Sequence, residues 1–170
     1  MKLKKSNLIS VLADGGTDKG VMEKVLVYVR YLDMELGKPV SEHLAIQEPK
    51  SGSSADVLDA ISTCMSNTVG MDDGEWKEQL TAFGSDGCAV MTGGKSGVWG
   101  LLKNDPSTKN FKEFWCGAHN LELAVVKSLE HYKEFIKLRE ALQSLYKEYH
   151  YSPKPLRELA NALARKSQDH

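Results

Sequence analysis

The chain has 170 residues, a hydrophobic fraction of 41% and a formal net charge of −1. Its length predicts one ordinary domain that buries a core without disulfides or bound metal. The near balance of acids and bases excludes a strong attraction for nucleic acid over the whole surface, so any such contact must be local. We expect a soluble protein, because the first apolar stretch is too short for a signal peptide and no apolar run is long enough to cross a membrane.

The first apolar run of the chain ends on an acid. Residues 7–18 read NLISVLADGGTD, in which Leu8, Ile9 and Val11 are typical of a central β-strand. Asp14 follows, and we expect the two glycines after it to turn the backbone sharply. An aspartate is rarely buried unless it is paired or coordinated, so the strand is predicted to bring Asp14 to a ligand.

Alternation of side chains predicts a second and a third strand. The second covers residues 21–34, and the third covers residues 40–48 after a turn at residues 36–39. The second strand divides into two faces, one with Val25, Val27, Val29 and Tyr31 and the other with Leu26, Tyr28, Arg30 and Leu32. Three strands in succession favour an antiparallel meander.

Helices and strands alternate in the middle of the chain. Residues 55–68 have helical spacing, and a short turn around Trp76 is expected to lead into a strand over residues 80–86. Residues 89–103 predict a helix that glycines break or delay, and residues 111–116 predict a fifth strand. The fourth strand is therefore the second apolar run that ends on an aspartate.

Helical periodicity dominates the last third of the chain. It extends from residue 120 to residue 149, as one long helix or two in line. A proline-containing break precedes a last amphipathic helix over residues 156–166, which carries Leu156, Leu159 and Leu163. We expect these three leucines to fold back on the preceding helix and cover its apolar side.

The predicted fold class is α/β, a five-stranded mixed sheet in the order strand, strand, strand, helix, strand, helix, strand, followed by C-terminal helices. In the ribonuclease H-like version of this order the first and fourth strands are neighbours, which would bring Asp14 and Asp86 close together. No linker is evident, so residues 1–170 are expected to form one domain that includes the helical segment 120–170.

Two carboxylates held side by side repel each other unless a cation lies between them. Mg²⁺ or Mn²⁺ suits such a site, because hard cations take oxygen ligands and keep waters that a phosphate can replace. Two such ions about 4 Å apart would support phosphodiester cleavage. The residues leave a second interpretation open, in which one aspartate caps a helix and the other lies in a turn.

Short sequence runs connect the chain to a known family. YVRY, KSGS, GSDG, KSGV and YHYSPK occur in this order, and ADGGTD, GSDGCAVM and CGAHNLELAVV mark the regions of Asp14, Asp86 and Cys116. Together they resemble the ribonuclease H-like core of hAT-superfamily DNA transposases, especially the transposase-derived zinc-finger and SUMO-ligase-like proteins of animals. The resemblance covers nearly the whole chain.

The resemblance implies roles for particular residues. Asp14 and Asp86 match the first two acids of an Asp-Asp-Glu triad that binds Mg²⁺ or Mn²⁺, and His119 matches a residue that handles the DNA end. The third acid should be a glutamate beyond a large helical insertion, of which residues 120–170 resemble only the start. The glutamates of this region lie in helical patterns and none is assigned: Glu122, Glu130, Glu134, Glu140, Glu148 and Glu158.

Cysteines and histidines offer a weak alternative metal site. Cys64, Cys88 and Cys116 are odd in number and widely spaced, which indicates a reducing intracellular compartment. Cys116 and His119 have a spacing that offers two ligands to zinc, but two ligands do not close a tetrahedral site and structural zinc is not expected. Alternatively this pair forms a strand-to-helix corner, with Cys116 buried and His119 near a helix N-terminus.

Departures from the family decide which function is expected. Gly16 takes the place of a tryptophan of the family, and we expect the chain to lack the zinc finger before the core and the dimerisation segment after it. The resemblance therefore implies a catalytically incomplete domain in nuclear nucleic-acid or protein binding. The first alternative is an active, Mg-dependent DNA transposase or nuclease that uses Asp14 and Asp86. The second is an unrelated α/β domain or a pseudogene-like product with no selected function. The expected partners are DNA and a protein or second copy bound through the C-terminal helices, but no membrane.

Overall fold

The structure is a computed structural model that describes residues 2–17, 23–109 and 111–151. It contains two compact units, Met1–Asn120 and Leu121–His170. The described elements are a 3-10 helix Lys2–Lys5, β1 Ile9–Thr17, β2 Glu23–Asp33, β3 Lys38–Gln47, α1 Ser54–Cys64, α2 Asp73–Gln79, β4 Leu80–Ser85, α3 Ala89–Thr92, α4 Val98–Asn104, β5 Lys112–Trp115, α5 Gly117–Leu129 and α6 Lys133–Tyr151.

The first unit is built on a five-stranded mixed sheet with the order β3-β2-β1-β4-β5. The strands β1, β2 and β3 form an antiparallel meander, whereas β4 runs parallel to β1 and β5 runs parallel to β4. The predicted α/β class, the mixed sheet and the adjacency of the first and fourth strands are confirmed. The predicted strands agree with β1 to β5, apart from their ends.

The two faces of the sheet differ in burial because the strands alternate. The face that helices cover carries the core side chains of the strands, which are Ile9, Val11, Ala13, Val25, Val27, Val29, Tyr31, Phe83 and Ser85. Against it pack Val57, Ile61, Trp76, Met91, Val98 and Leu102 of the helices. The opposite face carries the other half of each strand and remains largely exposed.

Helix α1 begins where the sequence predicts a cap. The Ser53 hydroxyl accepts the backbone N–H of Asp56 at 3.2 Å, which satisfies one of the free amides at the helix start. The helix ends at Cys64 and continues as a π-type turn, Met65–Val69, so the predicted helix over residues 55–68 is confirmed in its first three turns.

The predicted turn around Trp76 is wrong, because α2 forms there. A capping box starts this helix: Asp72 accepts the N–H of Glu75 at 2.8 Å, and Glu75 accepts the N–H of Asp72 at 3.0 Å. Trp76 is completely buried and anchors α2 on the core. The acidic residue three positions before Glu75 was a sequence signal for this helix start.

The predicted helix over residues 89–103 is divided into α3 and α4, as its glycines suggest. The break is a close approach of two backbone segments: a Cβ on Gly97 would lie 2.3 Å from the Gly93 nitrogen. The Gly97 N–H also donates to the Gly93 carbonyl at 2.8 Å. Only a residue without a side chain fits this position.

The second unit contributes helical structure. The predicted helical region forms two helices, α5 and α6, of which α5 starts three residues earlier than expected. Large apolar side chains of α6 are about half exposed, among them Leu138, Leu142 and Leu145. The predicted helix over residues 156–166 and the packing of its leucines lie outside the described residues. In the described part of the chain, no helix is long and apolar enough to cross a membrane.

A buried lysine joins α2 to the end of α4. Lys77 is 5% exposed, and its ammonium donates to Asp73 at 2.5 Å and to Asp105 at 2.7 Å. Burial lowers the pKa of this ammonium, but its hydrogen bonds to the two carboxylates outweigh burial and the pKa is raised. Because a buried charge is costly without partners, this arrangement ties the two helices together.

We expect Lys77→Met to lower the free energy of unfolding by roughly 1–3 kcal/mol, because two aspartates lose their shared cation. Chemical denaturation followed by circular dichroism measures this loss. Lys109→Met is the matched control, since Lys109 pairs with Glu78 at 2.5 Å at the surface. The control should change stability by less than about 0.5 kcal/mol; equal effects of the two variants would contradict the assigned role.

The same cluster predicts a pH dependence. The hydrogen bond from Lys77 is the main cause that lowers the pKa of Asp105 below its ordinary value of 3.8. A lowered carboxyl pKa stabilises the folded state at neutral pH, and this stabilisation is lost as the pH falls below 3.8. The acid-induced loss of stability should therefore be smaller in Lys77→Met than in the parent chain.

Candidate functional site

Two aspartates meet where β1 and β4 run side by side. The parallel register pairs Ala13 of β1 with Ser85, the last residue of β4, so Asp14 and Asp86 each come directly after this pair in the chain. Adjacent strands are about 4.8 Å apart, which brings the two positions to neighbouring places on the sheet. Ala13 and Ser85 point into the core, and alternation within β1 therefore directs Asp14 to the exposed face. Asp86 lies just beyond the end of β4, where it lines a groove on the exposed face and also a cavity beside Val57 and Met91.

The glycines after Asp14 do not form the predicted turn. Gly15 and Gly16 continue β1 and pair with Val25 and Lys24 of β2. Asp14 thus lies within a strand rather than in a loop, and its backbone is held by its own pairing with Leu26. That expectation was wrong because the pairing with β2 overrides the local preference of two glycines for a turn.

The chain does turn immediately after Asp86. Gly87 has a φ of 87°, and the Asp86 carboxylate accepts the N–H of Cys88 at 3.1 Å. Gly87 also makes room for the Trp115 indole, because a Cβ there would lie 1.1 Å from Trp115 Nε1. The turn therefore fixes Asp86 and packs β5 against the end of β4.

A groove of about 440 Å³ connects the two aspartates with apolar and aromatic side chains. Its lining consists of Leu12, Ala13, Asp14, Leu26, Tyr28, Gly84, Ser85, Asp86, Phe114, Trp115, Cys116 and Gly117. Leu12, Tyr28 and Phe114 are between 39% and 58% exposed, which is unusual for such large apolar groups. The groove thus offers carboxylate oxygens at one end and flat apolar surface beside them.

Cys116 and His119 lie at a corner between β5 and α5. The Cys116 N–H donates to the Ser85 carbonyl at 2.7 Å, so the chain leaves the sheet beside Asp86. The corner is confirmed, but Cys116 is exposed and not buried as that alternative assumed. His119 is half-buried in the first turn of α5, and it is not among the described residues that line the groove.

The metal-binding capacity of the site is limited by its donor set. Within residues 2–17, 23–109 and 111–151, no three His, Cys, Asp or Glu side chains are grouped so that they could hold a metal ion. Asp14 and Asp86 supply two carboxylates to the groove, and a third acid does not join them in this part of the chain. The three cysteines are free thiols, and partial desolvation together with the neighbouring Asp86 carboxylate raises the pKa of the Cys88 thiol.

Sequence reasoning missed the aromatic wall of the groove. Tyr28 and Phe114 occupy strand positions where an aromatic residue usually packs into the core. The alternation in YVRY already placed Tyr28 on the side opposite Val27 and Val29, and that was the available signal. The exposure of both rings follows only from the sheet order, because the described helices α1 to α4 pack on the other face.

No protein-family model matches the chain, and a search of curated proteins finds no match. The assignment of a function therefore depends on the placement of the residues described above.

We expect Gly87→Ala to displace the Trp115 indole and to strain the turn that fixes Asp86, since φ values near 87° are unfavourable for alanine. The free energy of unfolding should fall by more than about 1 kcal/mol. Tryptophan fluorescence and chemical denaturation measure the two effects.

Gly94→Ala is the control for this substitution, because a Cβ on Gly94 meets no atom within 4 Å. The control should keep the fluorescence of the parent chain. An unchanged emission spectrum in Gly87→Ala would show that Trp115 does not depend on the missing side chain.

Proposed function

We propose that this chain is a ribonuclease H-like domain of hAT-transposase origin that binds nucleic acid in the nucleus and is catalytically incomplete. The observation that carries the proposal is the register of β1 and β4, which places Asp14 and Asp86 side by side at one end of an open groove. Acids at the carboxyl ends of adjacent parallel strands suit a ligand that bridges them, in agreement with the resemblance of the sequence.

A divalent cation fits the oxygen donors of this site. Asp14 is exposed, and Asp86 is half-buried and engaged by the backbone N–H and the thiol of Cys88, so the hydrogen bonds of the described residues leave carboxylate oxygens of the pair available. Mg²⁺ or Mn²⁺ would be held by these two residues together with water, and it would supply positive charge for a phosphate. The two carboxylates would fix the position of such a cation, and water would complete its coordination.

Binding is favoured over cleavage because of the ligand count. The family resemblance requires a glutamate as third acid, and within the described residues none lies with Asp14 and Asp86. Two carboxylates would hold a cation whose positive charge attracts a phosphate. Cleavage of DNA by the parent chain in Mn²⁺ would instead favour the alternative of an active nuclease.

We expect isothermal titration of the full chain with Mn²⁺ to show saturable binding that weakens by more than about tenfold in both Asp14→Asn and Asp86→Asn. The same two substitutions should remove the Mn²⁺-dependent part of DNA binding. Asp59→Asn is the control, because Asp59 is an exposed aspartate of α1 that pairs with Lys50. A parent chain without Mn²⁺ binding, or with binding unaffected by either substitution, would contradict the cation site.

A second candidate function, protein binding, is favoured by α6. Apolar and aromatic residues recur along it at alternating spacings of three and four, which is the pattern of a coiled-coil seam: Phe135, Leu138, Leu142, Leu145 and Tyr149. Leu138, Leu142 and Leu145 are each at least half exposed. The partner that this seam fits is an amphipathic helix, and a second copy of the chain supplies one.

A second copy bound to this seam would compete with the expected cover by Leu156, Leu159 and Leu163. Under this second candidate function, the parent chain self-associates in sedimentation velocity at increasing concentration, and Leu142→Glu removes the association, because a charge in the seam opposes packing of helices. Gln143→Glu, at the exposed neighbouring position of α6, should leave it intact. A parent chain that stays monomeric would exclude the second copy as the partner.

A further inference from the structure

The exposed face of the sheet carries its polar, aromatic and acidic groups in separate rows. The strand registers align Arg30, Ser10, Ala82 and Lys112 in one row across four strands. The next row on the same face contains Tyr28, Leu12, Gly84 and Phe114. Asp14 lies two residues further along β1, and Asp86 follows the end of β4. Rows on one face of a strand follow each other at intervals of about 6.6 Å.

The aromatic row is accessible to a planar ligand. Phe114 is 58% exposed, and Tyr28 is 39% exposed while its ring lies 5.1 Å from that of His43. Gly84 lies between the two aromatic residues and has no side chain that projects from the sheet; a Cβ there would lie 3.5 Å from Leu12 Cγ. The row from Tyr28 to Phe114 crosses three strand intervals, about 14 Å, which accommodates several stacked bases.

The first row has a cation at each end, Arg30 and Lys112, and these two charges complement a phosphate backbone. Arg30 and Lys112 are exposed, and within the described residues neither makes an ion pair. Other lysines of the first unit do pair with acids, for example Lys77 with Asp105 and Lys109 with Glu78. Two unpaired cations parallel to a row of aromatic groups are typical of surfaces that bind single strands by stacking and charge.

We propose that single-stranded nucleic acid crosses the exposed face of the sheet, with bases stacked on Tyr28 and Phe114 and phosphates at Arg30 and Lys112. This platform rests on the proposed nucleic-acid binding and names the form of nucleic acid, but it needs no cation. A duplex fits poorly, because its bases are stacked inside and cannot lie on the aromatic rings.

Fluorescence anisotropy of the full chain with labelled dT12, in EDTA and low salt, tests the platform. We expect dT12 to bind about tenfold more tightly than a duplex of the same length. Tyr28→Leu and Phe114→Leu should each weaken binding by roughly tenfold, because leucine preserves apolar area and removes the stacking surface. Phe114→Trp should keep or increase the affinity.

The cations give an independent readout. For single strands, each phosphate contact contributes about 0.7 to the slope of log affinity against log salt. Arg30→Gln and Lys112→Gln should therefore each reduce this slope by about 0.7. Controls are Tyr132→Leu, an exposed aromatic residue of the second unit, and Lys95→Gln, an exposed lysine between α3 and α4.

Several outcomes would overturn the platform: no binding of dT12, equal binding of the duplex, or Leu variants with the affinity of the parent. If the chain does not bind dT12 but self-associates, and Leu12→Glu abolishes the self-association, the exposed face binds a second copy of the chain instead. If the chain binds no Mn²⁺ but binds dT12 in EDTA, the cation site is contradicted and the platform is supported. If DNA binding requires Mn²⁺ and the Leu variants bind like the parent chain, the platform is contradicted and the cation site is supported. Circular dichroism of each variant confirms that it folds.

Discussion

The functional surface depends on the parallel pairing of β1 with β4. Their register from Ser10–Ala82 to Ala13–Ser85 decides which residues of both strands face the helices. A slip by one residue would turn Asp14 into the core and expose Ala13, because successive side chains point to opposite faces. The burial of Ala13, Ser85 and their neighbours therefore stabilises the position of the two carboxylates without any direct contact to them.

The described helices of the first unit cover one side of the sheet, and this asymmetry gives the opposite side its character. Parallel strands in α/β proteins are usually covered on both faces. Here Leu12, Tyr28 and Phe114 are exposed beside charged groups, so the surface combines apolar area with polarity in a regular arrangement. Under the proposed function, the same strands that bury the core thus also present the ligand-binding groups.

The sequence predicts those features of the fold that local side-chain patterns determine, and it misses those that depend on contacts between residues far apart in the chain. The strands follow from alternation, and the meeting of Asp14 and Asp86 follows from the order of elements. Lys77 looks like a solvated helix residue, because its burial depends on Asp105, which is 28 residues away. The glycines after Asp14 suggest a turn, whereas pairing with β2 extends the strand.

The edge strand β3 contains one residue more than its partner requires. Val27 pairs with Ala45 and Tyr28 pairs with His43, so Leu44 forms a bulge and its side chain is buried. Such an irregularity twists an edge away from the flat geometry that an added strand needs. The β3 edge of the sheet is therefore a poor template for aggregation through backbone hydrogen bonds. Association of the chain then depends on contacts between side chains, as on the exposed face of the sheet or the seam of α6.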